Sequence, residues 1–300
     1  MYDIAVIGGG PAGLTAALYA RRANKSVLVI EKETFGGQIT HSPKVENIPG
    51  FIELSGNEFA EKLVEQVMEQ GAEIECAEVL KVTDGEIKTV TTDSGDFTAK
   101  AVIIATGAKH RLLGLEGEEA LIGEGISFCA VCDGAFYSGK TVAVIGGGNS
   151  ALQEAIMLSD IAQKVYLIQN LGFLTGEEKL ARQVEAKENI EVVLNTVVDS
   201  LIGETELKGI TIKNETGEKT DIVLDGMFVA IGLVPQNEAF ADLILLDDRG
   251  YAVADEACLS NTKGIFVAGD CRTKKIRQVA TAAADGAVAA LAACDYVDNN

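Results

Sequence analysis

No stretch of this chain reaches the roughly 18 uncharged apolar residues that a membrane span needs. The nearest, Ile4 to Ala20, is interrupted by Gly8-Gly9-Gly10-Pro11, which would break a helix. No positively charged leader precedes the first apolar run, because Tyr2-Asp3 passes straight into Ile4-Ala5-Val6-Ile7. A soluble, cytoplasmic protein without a signal peptide is the expectation. Basic residues are scarce, 25 Lys and Arg against 45 Asp and Glu, and the net charge of −20 disfavours nucleic acid and anionic membranes as partners. Histidine is scarcer still. His41 and His110 lie far from each other and from the cysteines, so a zinc site, which takes about four ligands, is not expected. Six cysteines in a cytosolic chain of this size do not make a disulfide framework. Cys76, Cys258, Cys271 and Cys294 are scattered and read as buried small hydrophobes. Only Cys129 and Cys132 are spaced for joint chemistry.

What the chain does have is length and apolar content. Its 300 residues, 47% of them hydrophobic, suggest about two globular domains with real cores. It also repeats itself at an offset of 138 residues: VIGGGPAGLTAALYARRANKSVLVIE from Val6 returns as VIGGGNSALQEAIMLSDIAQKVYLIQ from Val144. Each copy reads as strand, glycine turn, helix and strand, the βαβ unit of a dinucleotide-binding fold. Gly8 and Gly146 permit the tight turn, Gly10 and Gly148 let backbone approach a pyrophosphate, and Gly13 and Ala151 allow helix and sheet to pack closely. The helix N-terminus then offers unpaired N–H groups to phosphate. A single such turn is weak evidence; two at matching positions are strong. The copies differ where a ribose is read. Glu31 stands 23 residues after Gly8, the usual place for a ribose carboxylate, whereas its counterpart is Gln169.

With these two units flanking FCAVCDG, the chain resembles the low-molecular-weight flavin thioredoxin reductases. The motifs that carry the likeness are GGGPAG at 8–13, GGQ at 36–38, ENIPG at 46–50, ATGAK at 105–109, CAVCDG at 129–134, GGGNSA at 146–151, and AGDC with RQVATAAADG at 268–286. The resemblance implies an α/β fold of two Rossmann-like, three-layer domains, the second inserted into the first: an FAD domain of residues 1–113 and 238–300, and a CxxC and pyridine-nucleotide-type domain of residues 114–237. It implies FAD held by Gly8, Gly10, Gly13 and Glu31, with Gln38, Asn47, Thr106, Gly107, Asp270, Arg277 and Gln278 completing the cofactor-binding set. It also implies a homodimer, and a thioredoxin-like protein disulfide as partner. Cys132 would be the flavin-proximal thiol, Cys129 the one that attacks the partner, and Asp133 the group that gives or takes the proton. Val131 stands where the family more often has threonine.

The resemblance fails at the electron donor. Members that use NADPH carry a His-Arg-Arg stretch and a further Arg after the second unit's last strand; here the segment is Gln169-Asn170-Leu171-Gly172-Phe173-Leu174-Thr175. A 2′-phosphate is usually met by an arginine fork, so NADPH is disfavoured and the site of Gly146, Gly148, Ala151 and Gln169 reads as degenerate or as an NADH site. Arg182 and Lys179 are expected on a helix opened by the capping box Thr175-Gly176-Glu177-Glu178. Reduced ferredoxin is the other donor to consider, as in the clostridial-type branch that lacks the arginine motif, with Lys274-Lys275-Ile276-Arg277 as a basic docking spot. A flavin-dependent dithiol oxidase using oxygen and a non-catalytic flavin-binding scaffold are the alternative functions.

Overall fold

The computed structural model describes residues 1–42 and 44–300. Helices α1 (Pro11–Arg22), α2 (Gly56–Glu69), α3 (Ala130–Asp133), α4 (Asn149–Ser159), α5 (Glu178–Glu185) and α6 (Val279–Asn299) alternate with strands in a mixed α/β architecture. The chain divides into two compact units, one of Met1–Lys109 with Val234–Asn300 and one of His110–Leu233. The chain thus crosses between units four residues before the positions expected from sequence, within the strands Ala108–His110 and Leu233–Pro235.

The first unit is built on a seven-stranded sheet. Glu73–Cys76, Val27–Glu31, Tyr2–Ile7, the second half of Asp96–Ile104 and Ile265–Val267 lie side by side and parallel. The first half of Asp96–Ile104 pairs antiparallel with Lys88–Thr92. Ile4 to Ile7 and Val27 to Ile30 are buried without alternation, the pattern of strands covered on both faces. On one face lie α1 and α6, and their contact is made of small residues: Ala12, Ala16, Ala17 and Ala20 against Ala282, Ala289, Ala290 and Ala293. Gly286 sits at the tightest point, where a Cβ would overlap the Ala12 carbonyl oxygen. On the other face Leu28, Ile30, Val102 and Ile104 pack against Phe240 and Ile244. Cys258, Cys271 and Cys294 are buried as expected, but Cys76 is exposed, because it ends an outer strand of the sheet.

The second unit has a parallel five-stranded sheet, ordered Ile190–Val193, Lys164–Ile168, Thr141–Ile145, Gly226–Val229, Ile126–Ser127. A three-stranded antiparallel sheet accompanies it. The short α3 packs on α4, which in turn packs on the sheet. The expected capping box at α5 does not form. The helix starts at Glu178 with Glu177 as its cap and no side-chain bond, because Thr175 and Gly176 instead give their N–H groups to the Gly147 carbonyl at 2.8 and 2.9 Å.

Candidate active site

In the first unit the strand end at Ile7 turns sharply through Gly8, whose φ of +109° is open to glycine and strained for other residues. Gly10 caps α1 without a side-chain bond, and no acidic residue occupies the helix's first turn. Its N-terminal N–H groups therefore remain available to an anion. Gly13 is pressed so close to the turn that a Cβ would overlap the Gly8 carbonyl oxygen. The GGQ segment closes over this turn: Gly36 N–H bonds the Gly9 carbonyl at 2.7 Å. A Cβ on Gly37 would meet Gly10 Cα at 3.2 Å. Glu31 accepts from Gly9 N–H at 2.7 Å through one oxygen and from Glu33 N–H at 2.8 Å through the other. It is anchored at the turn with lone pairs to spare.

The C-terminal motif residues converge in the same unit. Asp270 lies in the turn Gly269–Cys271 that ends the strand Ile265–Val267. Its Oδ1 is buried without a hydrogen-bond partner. Burial raises its pKa, against the opposing pull of Lys274 and Arg277. Gln278 caps α6 and accepts from Asn47 Nδ2 at 3.2 Å, which joins ENIPG to RQVAT across 231 residues of sequence. Arg277 stacks on Tyr251 at 4.3 Å and donates to the Asp270 and Arg272 carbonyls. Gln38 is exposed on the turn Gly37–His41. Thr106 donates to Asn237 Oδ1 at 3.3 Å, and Ala105 lies directly against Gly8. The residues present fit a dinucleotide with a polyol chain: a glycine cradle, a free helix N-terminus, a ribose carboxylate and one orphaned buried carboxyl oxygen.

Sequence reasoning missed the group that shapes this loop. Asp285 is buried on α6 and accepts from Arg272 Nε and Nη2, both at 2.8 Å, from Lys274 Nζ at 2.9 Å and from Gly269 N–H at 3.0 Å. Burial opposes its charge, but these cations hold its pKa below the usual carboxylate range. The signal was available as an acidic residue inside an alanine-rich helix, the kind of buried charge that requires partners. The same cluster overturns the basic docking spot. Lys274 is turned inward to Asp285 and Arg277 inward to Tyr251, which leaves Lys275 exposed.

In the second unit Cys129 and Cys132 are joined as a disulfide with Cα atoms 5.3 Å apart. Cys129 caps α3, and its sulfur accepts the Cys132 N–H at 3.2 Å. Asp133 ends this helix. Its Oδ2 accepts from Ser127 Oγ at 2.5 Å, while its Oδ1 is buried without a partner. Burial raises its pKa, and the Ser127 bond counters part of that rise. Val131 is exposed beside the pair.

The second glycine turn repeats the first with differences. Gly146 has φ +133°, and α4 starts after Gly148 without a side-chain cap. Ala151 takes the place of Gly13, so this helix stands far enough from its turn to admit a methyl group. The buried Gln169 lies over Gly147, as Glu31 lies over Gly9. Its amide is engaged by its own loop, accepting from Asn170 N–H at 3.2 Å and donating to the Phe173 carbonyl at 3.4 Å. Asn149 and Glu177 bond each other twice, at 2.7 and 3.1 Å, which brings a carboxylate to the start of α4. Arg182 pairs with Glu178 on the surface.

The chain matches the model of the family described as pyridine nucleotide-disulphide oxidoreductase over residues 2–286. It is 41% identical to a thioredoxin reductase of Listeria monocytogenes, over 99% of this chain and 94% of that one. It is 42% identical to the "34.2 kDa protein in rubredoxin operon" of Clostridium pasteurianum, over 98% and 97%. Among solved structures, thioredoxin reductase from Streptococcus pyogenes superposes with a TM-score of 0.95 at 39% identity, covering 100% of this chain and 99% of that one. The two glycine turns, the CxxC between them and these full-length likenesses place the chain in the pyridine nucleotide-disulphide oxidoreductase family, within its low-molecular-weight thioredoxin reductase type.

Proposed function

We propose that this flavoprotein passes two electrons to the Cys129–Cys132 disulfide and on to a thioredoxin-like protein, with reduced ferredoxin as donor. The observation that carries the reading is the disulfide at the head of a short helix that also holds a buried carboxyl group with one unpartnered oxygen. FAD, when bound, supplies a carrier that accepts and releases an electron pair. The chain's own residues do the rest. The turn Gly8 to Gly13 and the N-terminus of α1 hold the pyrophosphate, and Glu31 the ribose. Asp270 would offer its unpartnered oxygen to a hydroxyl of the ribityl chain. Gln38, Asn47, Arg277 and Gln278 would line the ring, and Thr106 and Gly107 would complete the cofactor site. The first unit is thus the FAD domain and the second the disulfide domain of a cytoplasmic homodimer.

When the disulfide opens, a leaving thiolate needs a proton, and burial, which raises the Asp133 pKa, favours the protonated form that can give one. Cys132 is the flavin-proximal thiol and Cys129 the attacking one. The N–H that Cys129 receives from Cys132 favours a thiolate at that sulfur, as helix-start positions do.

Two features argue against NADPH: no cationic side chain occupies residues 169–176, and Glu177 lies at the start of α4. Gln169 spends its amide on its own loop, which weakens a ribose contact for NADH as well and puts ferredoxin first. NADH is the second reading, favoured by the uncapped N-terminus of α4. The test is flavin absorbance under anaerobic conditions, with oxidised thioredoxin present and NADPH, NADH or reduced ferredoxin added separately. Bleaching by ferredoxin with reduction of thioredoxin supports the proposal; bleaching by NADH moves the donor to the second site. Fast bleaching by NADPH sinks the donor argument. Flavin reduced only by small dithiols, with oxygen consumed, identifies a dithiol oxidase, and flavin that nothing reduces identifies a scaffold.

A further inference from the structure

Beyond Asp133, a second carboxyl oxygen in this unit is buried without a partner. Glu154 lies on α4, and its Oε2 is inaccessible and without a hydrogen-bond partner. The direction it faces follows from helix geometry. Residues 154 and 158 share one stripe of α4 at a spacing of four. Leu158 meets the CxxC segment, as does Ile161 in the turn after the helix: a Cβ on Gly134 would touch Leu158 Cδ2 at 3.3 Å and Ile161 Cδ1 at 3.4 Å. Ala130, between the two cysteines, packs in one buried cluster with Ala151, Ala155 and Leu158 of the same helix. Glu154 therefore occupies the face of α4 that carries α3.

We propose that Glu154 is a second proton-holding residue of the redox site, coupled to the Cys129–Cys132 pair and positioning the pH at which the reduced pair becomes a thiolate. The proposal rests on the reading of these cysteines as the redox pair. Reduction breaks one S–S bond, takes up two electrons from the flavin-linked donor and needs two protons to leave two neutral thiols. Asp133 is one internal holder of a proton, and Glu154 is the other. Each group that gives up its proton is left as a carboxylate and regains it from solvent.

Burial alone raises the Glu154 pKa to about 7, so its charge changes in the range where the enzyme works. The titratable groups on α3 and the turn that follows it are Asp133, the two cysteines and Tyr137. Burial and the nearby Asp133 push Tyr137 up to about 12, so it keeps its proton. The charged groups on the other elements around α4 are engaged elsewhere: Lys164 with Glu191, Arg182 with Glu178, Lys187 with Asp160 and Glu177 with Asn149. Once ionised, Glu154 opposes a thiolate at the head of α3. At an effective dielectric of about 20, a unit charge roughly 10 Å away changes a neighbouring ionisation by about tenfold.

The experiment uses the full-length holoprotein, reduced with dithiothreitol and desalted, and follows alkylation of the pair by iodoacetamide from pH 5 to 10. Glu154→Gln keeps the shape and removes the charge, and Gln153→Ala on the exposed side of the same helix is the control. The expected result is a thiolate titration in E154Q displaced to lower pH, with alkylation about tenfold faster near pH 8, while Q153A follows the wild type. Superimposable profiles for wild type and E154Q overturn the proposal. Should E154Q fail to fold, the infrared difference spectrum between oxidised and reduced Asp133→Asn protein decides. A protonated-carboxyl band that changes on reduction supports Glu154, and a flat spectrum in that region overturns it. Cysteines that dithiothreitol cannot reduce would overturn the redox-pair reading too, whereas reducible cysteines with unshifted profiles remove Glu154 alone.

Discussion

Replacing Asp285 by alanine removes the anion that organises the loop from Gly269 to Lys274. The side chains of Arg272 and Lys274 are 4% and 8% exposed, so neither cation can turn to water without moving the loop. Breaking a buried pair in this way costs about 3–5 kcal/mol. The Gly269 N–H, left without an acceptor, adds a share of the roughly 1–3 kcal/mol of an unmade buried bond. At roughly 2–4 °C per kcal/mol for large domains, the lost pair alone should lower the melting temperature of D285A by about 6–20 °C relative to wild type, and the unmade Gly269 bond adds to that. Asp285→Asn, which keeps the shape but not the charge, should fall between them. Urea unfolding followed by circular dichroism gives the free energy, and the flavin-to-protein ratio of the same samples reports the turn that carries Asp270.

The pH dependence has a definite sign. The folded-state pKa of Asp285 lies below its unfolded value. Its contribution is therefore fully present above the unfolded value of about 3.9 and is lost as pH falls through the lower folded pKa. The gap between wild type and D285N should be flat above about pH 5 and narrow toward pH 2–3. A loss below about 1 kcal/mol in D285A, in the range of an exposed pair, would refute the assignment. So would an Arg272→Met, Asp285→Leu double variant no more stable than D285A, since a matched apolar pair should recover much of the loss.

Asp133→Asn should slow disulfide turnover by about 10²–10⁴-fold while leaving the disulfide formed, a result read by stopped-flow flavin reoxidation with thioredoxin. Removing the Ser127 hydroxyl takes away the one bond that lowers the Asp133 pKa, so in Ser127→Ala the alkaline limb of the kcat/KM profile should move to higher pH. Gly286→Ala places a methyl on the Ala12 carbonyl and should cost about 1–3 kcal/mol through overpacking of the helix contact, whereas the same change at the solvent-open Gly95 should be felt only through its φ of +142°. An Asn170→Arg, Leu171→Arg, Thr175→Arg variant should gain an NADPH response in the flavin-bleaching assay if the missing clamp is what excludes that nucleotide.

The doubled βαβ unit, the glycine turns and the CxxC could be read from the chain because each is a local pattern: an apolar run, a residue without a Cβ where φ is positive, two thiols three positions apart. Glu31 and Gln169 were legible for the same reason, since each stands at a set distance from its glycines along one unit. What could not be read was how polar groups distant in sequence would satisfy one another. Asn47 meets Gln278 and Thr106 meets Asn237 through the folding of loops that share no local signal. Lys274 and Arg277 look like a surface patch in sequence, yet both turn inward, because Asp285 on α6 and the ring of Tyr251 offer better partners than water. Thr175 and Gly176 leave a sound capping pattern to bond Gly147, a residue that the turn before α4 brings into reach. Glu154 is one more acidic residue on a helix until folding buries one of its oxygens. The sequence by itself determined which elements form and which residues can do chemistry, because propensity and spacing act over a few residues. Tertiary structure alone decided which charges are buried and with whom, because desolvation and pairing depend on neighbours that only the folded chain assembles.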